Sequence, residues 1–333
     1  MLGKKFATRL NSFTSNSELL WSDKSKITTL DLIKRAATVK GLTDIDLNFP
    51  DHIDGNLKDI VNCCKDNGIN INGLAMRYYS NSKFKLGAFT NPNKQTRQEA
   101  IEITKKGIDA AREAGCALMT LWLGQDGFDY SFQADYNDLW EKEIDGIHQV
   151  AEHDSQCNIS LEYKPNEPRA YSLLPNLTST LLAISQVGLP NLGVTLDFAH
   201  LLYANEQPAF SAALVSKSSK LLGVHLNDGY AKRDDGLMVG SVHYQATAEL
   251  LYQISNDGYD GVIYFDTFPN TINLDPVKEC ETNIETVQQI LEVVKGLQND
   301  NQLRESIQKQ DSITTQKIFN KVLRDYPFKN NET

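Results

Sequence analysis

The chain alternates short apolar, β-branched runs with longer amphipathic stretches from one end to the other. Strand candidates lie at residues 4–10, 42–48, 70–78, 116–123, 158–164, 192–198, 221–228 and 261–267. Helix-length stretches follow them at residues 28–40, 55–68, 95–114, 135–154, 176–188, 207–219, 243–257 and 277–297. Eight strand-then-helix units without a long linker predict an α/β fold, a single (β/α)8 barrel. A doubly wound open sheet is the alternative, but it would usually show a glycine-rich phosphate turn after its first strand, and the sequence has none there.

The stretch from Asn299 to Pro327 continues a polar helical pattern beyond the eighth unit. Its apolar residues are spaced unevenly, unlike those of a helix that packs in the core. We therefore predict a barrel over residues 1–298 and a C-terminal helical tail over residues 299–333. The tail is expected to pack on a neighbouring surface, either of its own barrel or of another subunit.

Composition narrows the range of partners and compartments. The formal net charge is −10 and no Lys/Arg-rich block interrupts it, so a nucleic-acid partner is not expected. No run approaches the roughly 18 apolar residues of a membrane span, and residues 1–20 lack the apolar segment of a secretory signal. The five cysteines are odd in number and form no C-x-x-C pair, which fits reduced thiols. We therefore expect a cytoplasmic protein without a membrane span.

The octapeptide Glu162–Arg169 (EYKPNEPR) begins at the end of the fifth strand candidate. Two prolines and an asparagine end the strand, so Glu162, Lys164 and Glu167 project at or just past its C-terminal end. In folds with parallel strands, active sites are built at that end. Three charged groups are costly to desolvate there unless they pair with one another or with a metal. Taken alone, the segment could equally be a solvated turn whose charges face water.

Carboxylates and imidazoles also follow the next three strands. They are Asp197 and His200 on the sixth, His225 with Asp234 and Asp235 on the seventh, and Asp266 on the eighth. A single member would more often belong to a salt bridge or a core hydrogen bond, but so many carboxylates in one cavity cannot stay ionised without cations. The set has two imidazoles and no thiolate, which favours Mg²⁺, Mn²⁺ or Co²⁺ over a structural zinc site, although a Zn²⁺ ion is compatible with it.

The spacing of these residues predicts one or two divalent ions. Asp197 is the natural bridging ligand between two ions, because His200 can serve the second ion from the same segment. The Asp234–Asp235 pair would complete that second site.

At this point the chain resembles the xylose isomerase family of metal-dependent aldose–ketose isomerases. The octapeptide is similar to the family signature E-x-K-P-N-E-P-R. The resemblance continues in Phe84–Pro92, in Trp122–Gly127, which resembles the tryptophan–glycine turn after the fourth strand, and in Tyr259–Gly261 with Phe265 and Asp266. It covers residues 40 to 270 approximately, in matching order.

The resemblance implies roles for particular residues. The first metal would be held by Glu162, Asp197, His225 and Asp266, and the second by Asp197, His200 and the aspartates Asp234 and Asp235. Lys164 would polarise the substrate carbonyl, with Glu167 keeping it in place, while Trp122 and Phe89 would wall the substrate. The implied partners are a small-molecule sugar and further copies of the chain, as a dimer or tetramer.

Three departures separate the chain from xylose isomerases. Asp197 stands where they have Glu, and His225 replaces an Asp, and both choices resemble the rhamnose isomerase branch. The family's D-x-D after the seventh strand is here Asp234-Asp235-Gly236, so one ligand of the second site is displaced or missing. Ile45 stands where xylose isomerases carry the histidine linked to ring opening, and His52 in the following loop is a weak substitute.

The resulting expectation is an aldose–ketose isomerase that uses a metal-assisted hydride shift. A ketose 3-epimerase on the same barrel is the nearest alternative, and a non-catalytic sugar or metal binder is another. The abasic-site nucleases share this barrel, but they need a histidine-rich zinc site and a basic surface. Six histidines in all and the acidic balance argue against that class.

Overall fold

The structure is a computed structural model that describes residues 2–23, 27–53 and 55–325. Its strands are β1 (Phe6–Arg9), β2 (Asp44–Phe49), β3 (Asn70–Met76), β4 (Leu118–Trp122), β5 (Gly127–Phe128), β6 (Asn158–Glu162), β7 (Tyr171–Ser172), β8 (Leu192–Asp197), β9 (Leu221–Leu226) and β10 (Ile263–Phe265). Eight parallel strands form a closed barrel in the order β1-β10-β9-β8-β6-β4-β3-β2, and the two short strands, β5 and β7, form an antiparallel pair outside it. Each barrel strand overlaps its predicted range, so the barrel is confirmed and the open sheet is wrong.

The eight predicted helices are also present. The described helices are α1 (Thr29–Ala36), α2 (Leu57–Asp66), α3 (Lys94–Glu113), α4 (Tyr136–His153), α5 (Leu177–Val187), α6 (Phe198–Tyr203), α7 (Pro208–Ser218), α8 (Tyr244–Asn256), α9 (Pro276–Gln298), α10 (Asn301–Gln308) and α11 (Ser312–Asp325). Side-chain caps begin many of them, and Asn93, for example, accepts hydrogen bonds from two backbone amides at the start of α3. The short helix α6, which follows β8 without a loop, was not among the predictions.

Strand alternation separates the core from the polar interior of the barrel's upper end. On β2, Ile45 and Leu47 are fully buried in the hydrophobic core, whereas Asp46 lines a cavity inside the barrel. Because successive side chains of a strand point to opposite faces, Ile45 faces the helical layer. Ile45, which stands where xylose isomerases carry the histidine linked to ring opening, therefore does not face the cavity.

The C-terminal tail forms two helices, α10 and α11. Leu303, Ile318, Phe319 and Val322 are buried and join the hydrophobic core of the chain's own barrel. The remainder of the predicted tail, residues 326–333, lies outside the described residues. No helix in the described part of the chain combines the length and the apolar character needed to cross a membrane.

Candidate active site

A cavity of about 380 Å³ opens where the barrel strands end. The sequence-predicted residues that line it are Trp122, Glu162, Lys164, Glu167, His200, His225, Asp234 and Asp266. Glu162 is the last residue of β6 and Asp266 directly follows β10, while His225 is the second-last residue of β9. The barrel thus brings side chains that are far apart in sequence to one end of the fold, as parallel strands require.

Four ligand atoms form a compact group, and three of their residues, Glu162, His225 and Asp266, line this cavity, whereas Asp197 is buried beside them. One side-chain atom each of Glu162, Asp197, His225 and Asp266 lies within 4.8 Å of the others. The first three residues are buried and Asp266 is half-buried. Three carboxylates and one imidazole at this separation are the donor set of a hard or borderline divalent cation.

The electrostatics of this group fit a cation. Burial raises the pKa of Asp197 to about 7 even with His200 beside it, and the carboxylates of Asp234, Asp266 and Glu162 add to the rise. Nδ1 of His225 is buried and makes no hydrogen bond within the described part of the chain, although it lies 3.5 Å from Oε1 of Glu162. A bound cation would satisfy that nitrogen and relieve the repulsion between the carboxylates.

The backbone and Asn227 position Asp197. Asp197 caps α6, and its Oδ1 accepts a hydrogen bond from the backbone amide of His200 at 3.0 Å. The side-chain amide of Asn227 donates to both oxygens of Asp197, at 3.2 and 3.1 Å, and to the backbone oxygen of Asp266 at 3.1 Å. We did not predict a role for Asn227 from the sequence. Its spacing could have indicated one, because Asn227 lies two residues beyond His225 and therefore on the same face of the chain.

A second group lies beside the first. Nε2 of His200 is 3.2 Å from Oδ2 of Asp234, and its Nδ1 is 3.7 Å from Oε1 of Glu162. Asp235 is not part of this group. Its carboxylate accepts hydrogen bonds from the Tyr230 backbone amide and from Nε of Arg233, both at 2.8 Å, and it does not line the cavity. The loop between β9 and α8 therefore turns Asp234 inward and Asp235 outward.

Lys164 lies between two carboxylates. Its Nζ is 2.9 Å from Oε2 of Glu167 and 3.1 Å from Oδ2 of Asp234, and it lies 5.4 Å from the centroid of the Trp122 ring. Burial lowers the pKa of Lys164, but the charge of Asp234 and the hydrogen bond to Glu167 more than offset that effect and raise it. The side chain is therefore an ammonium group held in a fixed position in the cavity.

The two aromatic residues predicted as substrate walls differ in placement. Trp122 lines the cavity, but Phe89 does not. Phe89 is almost fully buried, and its ring packs edge-on against Tyr78 at 5.7 Å and close to Gly146 of α4. The apolar environment between the barrel and α4 holds this ring away from the cavity. Phe268, in the loop after β10, supplies an aromatic wall that was not predicted.

Several other residues that line the cavity were also missed, namely Arg9, Asp46, Arg77, Tyr79 and Tyr264. They lie on or directly after β1, β2, β3 and β10, whereas the prediction concentrated on the ends of the later strands. Inspection of the first three strand ends would have found Arg9 and Arg77. His52, considered as a substitute for the missing histidine, does not line the cavity, and its Nδ1 accepts a hydrogen bond from the Asn48 backbone amide at 2.9 Å.

Comparison with known proteins agrees with this architecture. Residues 34–301 match the family described as xylose isomerase-like TIM barrel. Over 207 residues the chain is 26% identical to the xylose isomerase of Thermus thermophilus, a match that covers 60% of this chain and 54% of that protein. The chain thus spans about half the length of the curated relative that it matches.

Solved structures with the same fold include two ketose epimerases. An L-ribulose 3-epimerase superposes with a TM-score of 0.67 at 16% identity, covering 87% of this chain and 95% of that one. The D-allulose 3-epimerase of a Methylomonas species gives 0.66 at 16% identity, with 86% and 96% covered. A xylose isomerase domain protein of Alicyclobacillus acidocaldarius gives 0.64 at 16% identity, with 88% and 99% covered. By its sequence match, its closed barrel and the polar groups at its strand ends, the chain belongs to the xylose isomerase-like TIM barrel family.

Proposed function

We propose that the chain is a metal-dependent sugar isomerase that interconverts an aldose and a ketose. The observation that carries this proposal is the position of Lys164, whose ammonium group lies between Glu167 and Asp234 in the cavity that three residues of the four-ligand group also line. Membership of a family whose relatives include a xylose isomerase supports the same class of reaction.

Glu162, Asp197, His225 and Asp266 would hold the first divalent ion, and Asp197, His200 and Asp234 would hold a second. When bound, Mg²⁺, Mn²⁺ or Co²⁺ (or Zn²⁺) supplies Lewis-acid stabilisation of the negative charge on substrate oxygens. Three observations support these assignments: the oxygen-rich donor set, the raised pKa of Asp197, and the Nδ1 atoms of His200 and His225, which have no hydrogen-bond partner among the described residues.

Lys164 has the central role among the chain's own residues. In an aldose–ketose isomerisation a hydride moves between C1 and C2 of the open-chain sugar, and the O2 proton is transferred to O1, so no external oxidant or reductant is needed. Lys164 donates a hydrogen bond to O1 as negative charge develops there. Glu167 and Asp234 keep the ammonium group in position, because both carboxylates accept from it.

The aromatic residues keep water away from the reacting carbons. Trp122 lies against Lys164, and Phe268 lines the same cavity. A hydride transfer requires the two carbons to be close and shielded from solvent, so walls that restrict the open-chain sugar promote it.

The proposal is tested by a screen of pentoses, hexoses and 6-deoxyhexoses. Each sugar is incubated with the purified protein and Mg²⁺, Mn²⁺ or Co²⁺, and ketose formation is measured. We expect at least one aldose to be converted and the conversion to stop when a chelator removes the metal. If no sugar of any class gives a ketose with any of the metals, the isomerase proposal is wrong.

A ketose 3-epimerase is the second candidate. The carboxylates of Glu162 and Asp266 both line the cavity, and a proton could be removed from carbon by one and returned by another. The fold of the solved 3-epimerases is also the fold of this chain. An epimerase exchanges a carbon-bound proton with solvent, whereas a hydride shift does not, which separates the two reactions.

A further inference from the structure

The cavity contains two arginines, Arg9 and Arg77, that the proposed chemistry does not use. Arg9 is the last residue of β1, and Arg77 directly follows β3. In the closed order of strands, β1 lies opposite β6, the strand that carries Glu162 and precedes Lys164. Arg9 therefore reaches the cavity from the side opposite Lys164.

The guanidinium group of Arg77 is hydrogen-bonded through Nε, whereas its two Nη groups have donors that the described residues leave unused. Its Nε donates a hydrogen bond to Oδ1 of Asn48 at 2.8 Å, and its centre lies 5.8 Å from the centroid of the Tyr79 ring. The side-chain amide of Asn48 in turn donates a hydrogen bond to Oδ1 of Asn11, which holds the Asn48 side chain in place. Among residues 2–23, 27–53 and 55–325, neither Nη group of Arg77 has a hydrogen-bond or carboxylate partner.

Arg9 is supported in a similar way. Its guanidinium group lies 4.6 Å from the centroid of the Phe268 ring, and its Nε is 3.4 Å from Oδ1 of Asp266. That carboxylate belongs to the four-ligand group. The terminal amino groups of Arg9 likewise make no hydrogen bond to the described residues.

Two oriented guanidinium groups with unused donors favour an anionic ligand. Arginine stays protonated throughout the physiological range, and its planar fork matches carboxylate and phosphate oxygens. Asp266 partly offsets the charge of Arg9, and Asp46 and Glu162 interact electrostatically with Arg77, but the N–H donors that remain unused would still stabilise an anion. Overall charge would not attract anions to this protein, which carries a formal net charge of −10, so the attraction must be local.

We propose that Arg9 and Arg77 form a subsite for an anionic group at the end of the substrate remote from its reacting carbons. The inference rests on the proposed function and names its substrate class, an acidic sugar that carries a carboxylate or a phosphate. A cavity of about 380 Å³ has the size of a small-ligand site and accommodates a sugar with such a group. Hydroxyl groups of a neutral sugar would accept hydrogen bonds from Arg77 but would not form the stronger charge-assisted bonds of a carboxylate or a phosphate.

Calorimetric binding tests the subsite without requiring turnover. The magnesium-loaded full-length protein is titrated with glucose, glucuronate and glucose 6-phosphate under identical salt conditions. We expect one or both acidic sugars to bind at least about tenfold more tightly than glucose, as charge-assisted hydrogen bonds to arginine imply. The two acidic probes show whether the carboxylate or the phosphate is preferred.

Variants separate the subsite from binding of the anion to the metal. Arg77→Gln should reduce the preference for the acidic sugar over glucose by about tenfold, and Arg77→Lys should retain part of it, because the charge remains without the fork. Arg304→Gln, in the exposed face of α10, is the control and should keep the full preference. If Arg77→Gln does not fold, Arg9→Gln and Arg77→Lys replace it in the comparison.

Equal affinity for glucose and both acidic sugars would overturn the inference, as would a preference that Arg77→Gln and Arg9→Gln leave unchanged. These outcomes are distinct from failure of the proposed function. A protein that prefers acidic sugars but converts none of them contradicts the isomerase proposal and keeps the subsite. A protein that isomerises neutral sugars without any preference for acidic ones supports the isomerase proposal and contradicts the subsite.

Discussion

The ammonium group of Lys164 contacts the carboxylates of Glu167 and Asp234. Lys164 is not one of the four residues that could hold the first metal ion. Substitution of Lys164 should therefore separate chemistry from metal binding. We expect Lys164→Ala to lower kcat by about 100-fold or more, because a preorganised donor to the developing charge is lost. Affinity for Mn²⁺, measured by calorimetry, should change little.

Lys295→Ala is the matched control for this experiment, since Lys295 is exposed on α9. It should leave both kcat and metal affinity unchanged. A Lys164→Ala protein that retains its isomerisation rate would remove the role assigned to this residue.

Asp197 combines a helix cap with a ligand position, and the two roles respond differently to Asp197→Asn. The amide oxygen of Asn can still accept the hydrogen bond from the His200 backbone amide, whereas its amide nitrogen cannot accept the bond that Asn227 donates to the second oxygen, so we expect the melting temperature to fall only slightly. The loss of charge should lower metal affinity by more than the roughly 10–100-fold that accompanies loss of a partner that orients a ligand. Metal affinity equal to that of the unsubstituted protein would exclude Asp197 as a ligand.

Sequence reasoning located the residues that lie at strand ends and failed where a loop decides direction. The residues of the four-ligand group lie at strand ends, and the barrel fold alone brings strand ends together. They are Glu162, Asp197, His225 and Asp266. Asp235 and Asp234 are adjacent in sequence, and contacts made by the folded loop determine which of them faces outward: Tyr230 and Arg233 donate hydrogen bonds to Asp235, whereas Lys164 and His200 contact Asp234. Nothing in the local sequence of Phe89 shows that its ring packs toward α4 rather than toward the cavity.

At the scale of elements, α4 buries a carboxyl group that the site does not use. Glu143 is fully buried and neither of its carboxylate oxygens has a hydrogen-bond partner among the described residues. Burial raises the pKa of Glu143 well above its usual value of 4.5, and the charge of Asp126 adds to the rise. Burial also raises the pKa of Asp126, to about 6.

This arrangement predicts how stability depends on pH. Because the pKa of Glu143 is higher in the folded state than in the unfolded state, its contribution is fully present below about pH 4.5 and is lost as pH rises through the folded-state pKa. Glu143→Gln cannot ionise, so we expect the free energy of unfolding to decline less steeply as pH rises above about 4.5 than in the unsubstituted protein. Denaturant titrations over that range measure the slope.

Glu141→Gln on the exposed face of α4 is the control and should retain the full decline. Identical slopes for Glu143→Gln and Glu141→Gln would show that the buried carboxyl group does not influence folding stability in this range.

The succession of elements was predictable because each strand and helix carries its own period of apolar residues. The short helix α6 was not, since its residues continue directly from β8 and its N-cap, Asp197, is also the last residue of that strand. The tail was expected as a polar helical pattern, and the structure divides it at residues 309–311 into α10 and α11. A break of this kind depends on how both helices pack against α9, which the spacing of apolar residues does not reveal.

At the scale of the whole molecule, the tail packs against the barrel. Phe319 of α11 is buried in the core cluster, whereas Ile313 of the same helix is 72% exposed. We expect Phe319→Ala to lower the free energy of unfolding by about 3 kcal/mol, because buried aromatic area is lost and a cavity remains. Ile313→Ala should change it by less than about 0.5 kcal/mol.

Denaturant unfolding of the two variants provides the comparison. Equal effects of Phe319→Ala and Ile313→Ala would show that α11 does not pack on the barrel in solution. A dimer or a tetramer in solution stays a prediction. It is tested by the molecular mass in solution, which should be two or four times the 37.3 kDa of one chain.

The proposed isomerase carries out a hydride shift between C1 and C2 of a sugar. The most direct test is nuclear magnetic resonance of the products formed in ²H₂O by the metal-loaded protein, with the aldose identified by the screen. We expect a ketose with no deuterium bound to C1 or C3. Deuterium at C3, with inversion of that carbon, would contradict the account and assign the cavity to a 3-epimerase.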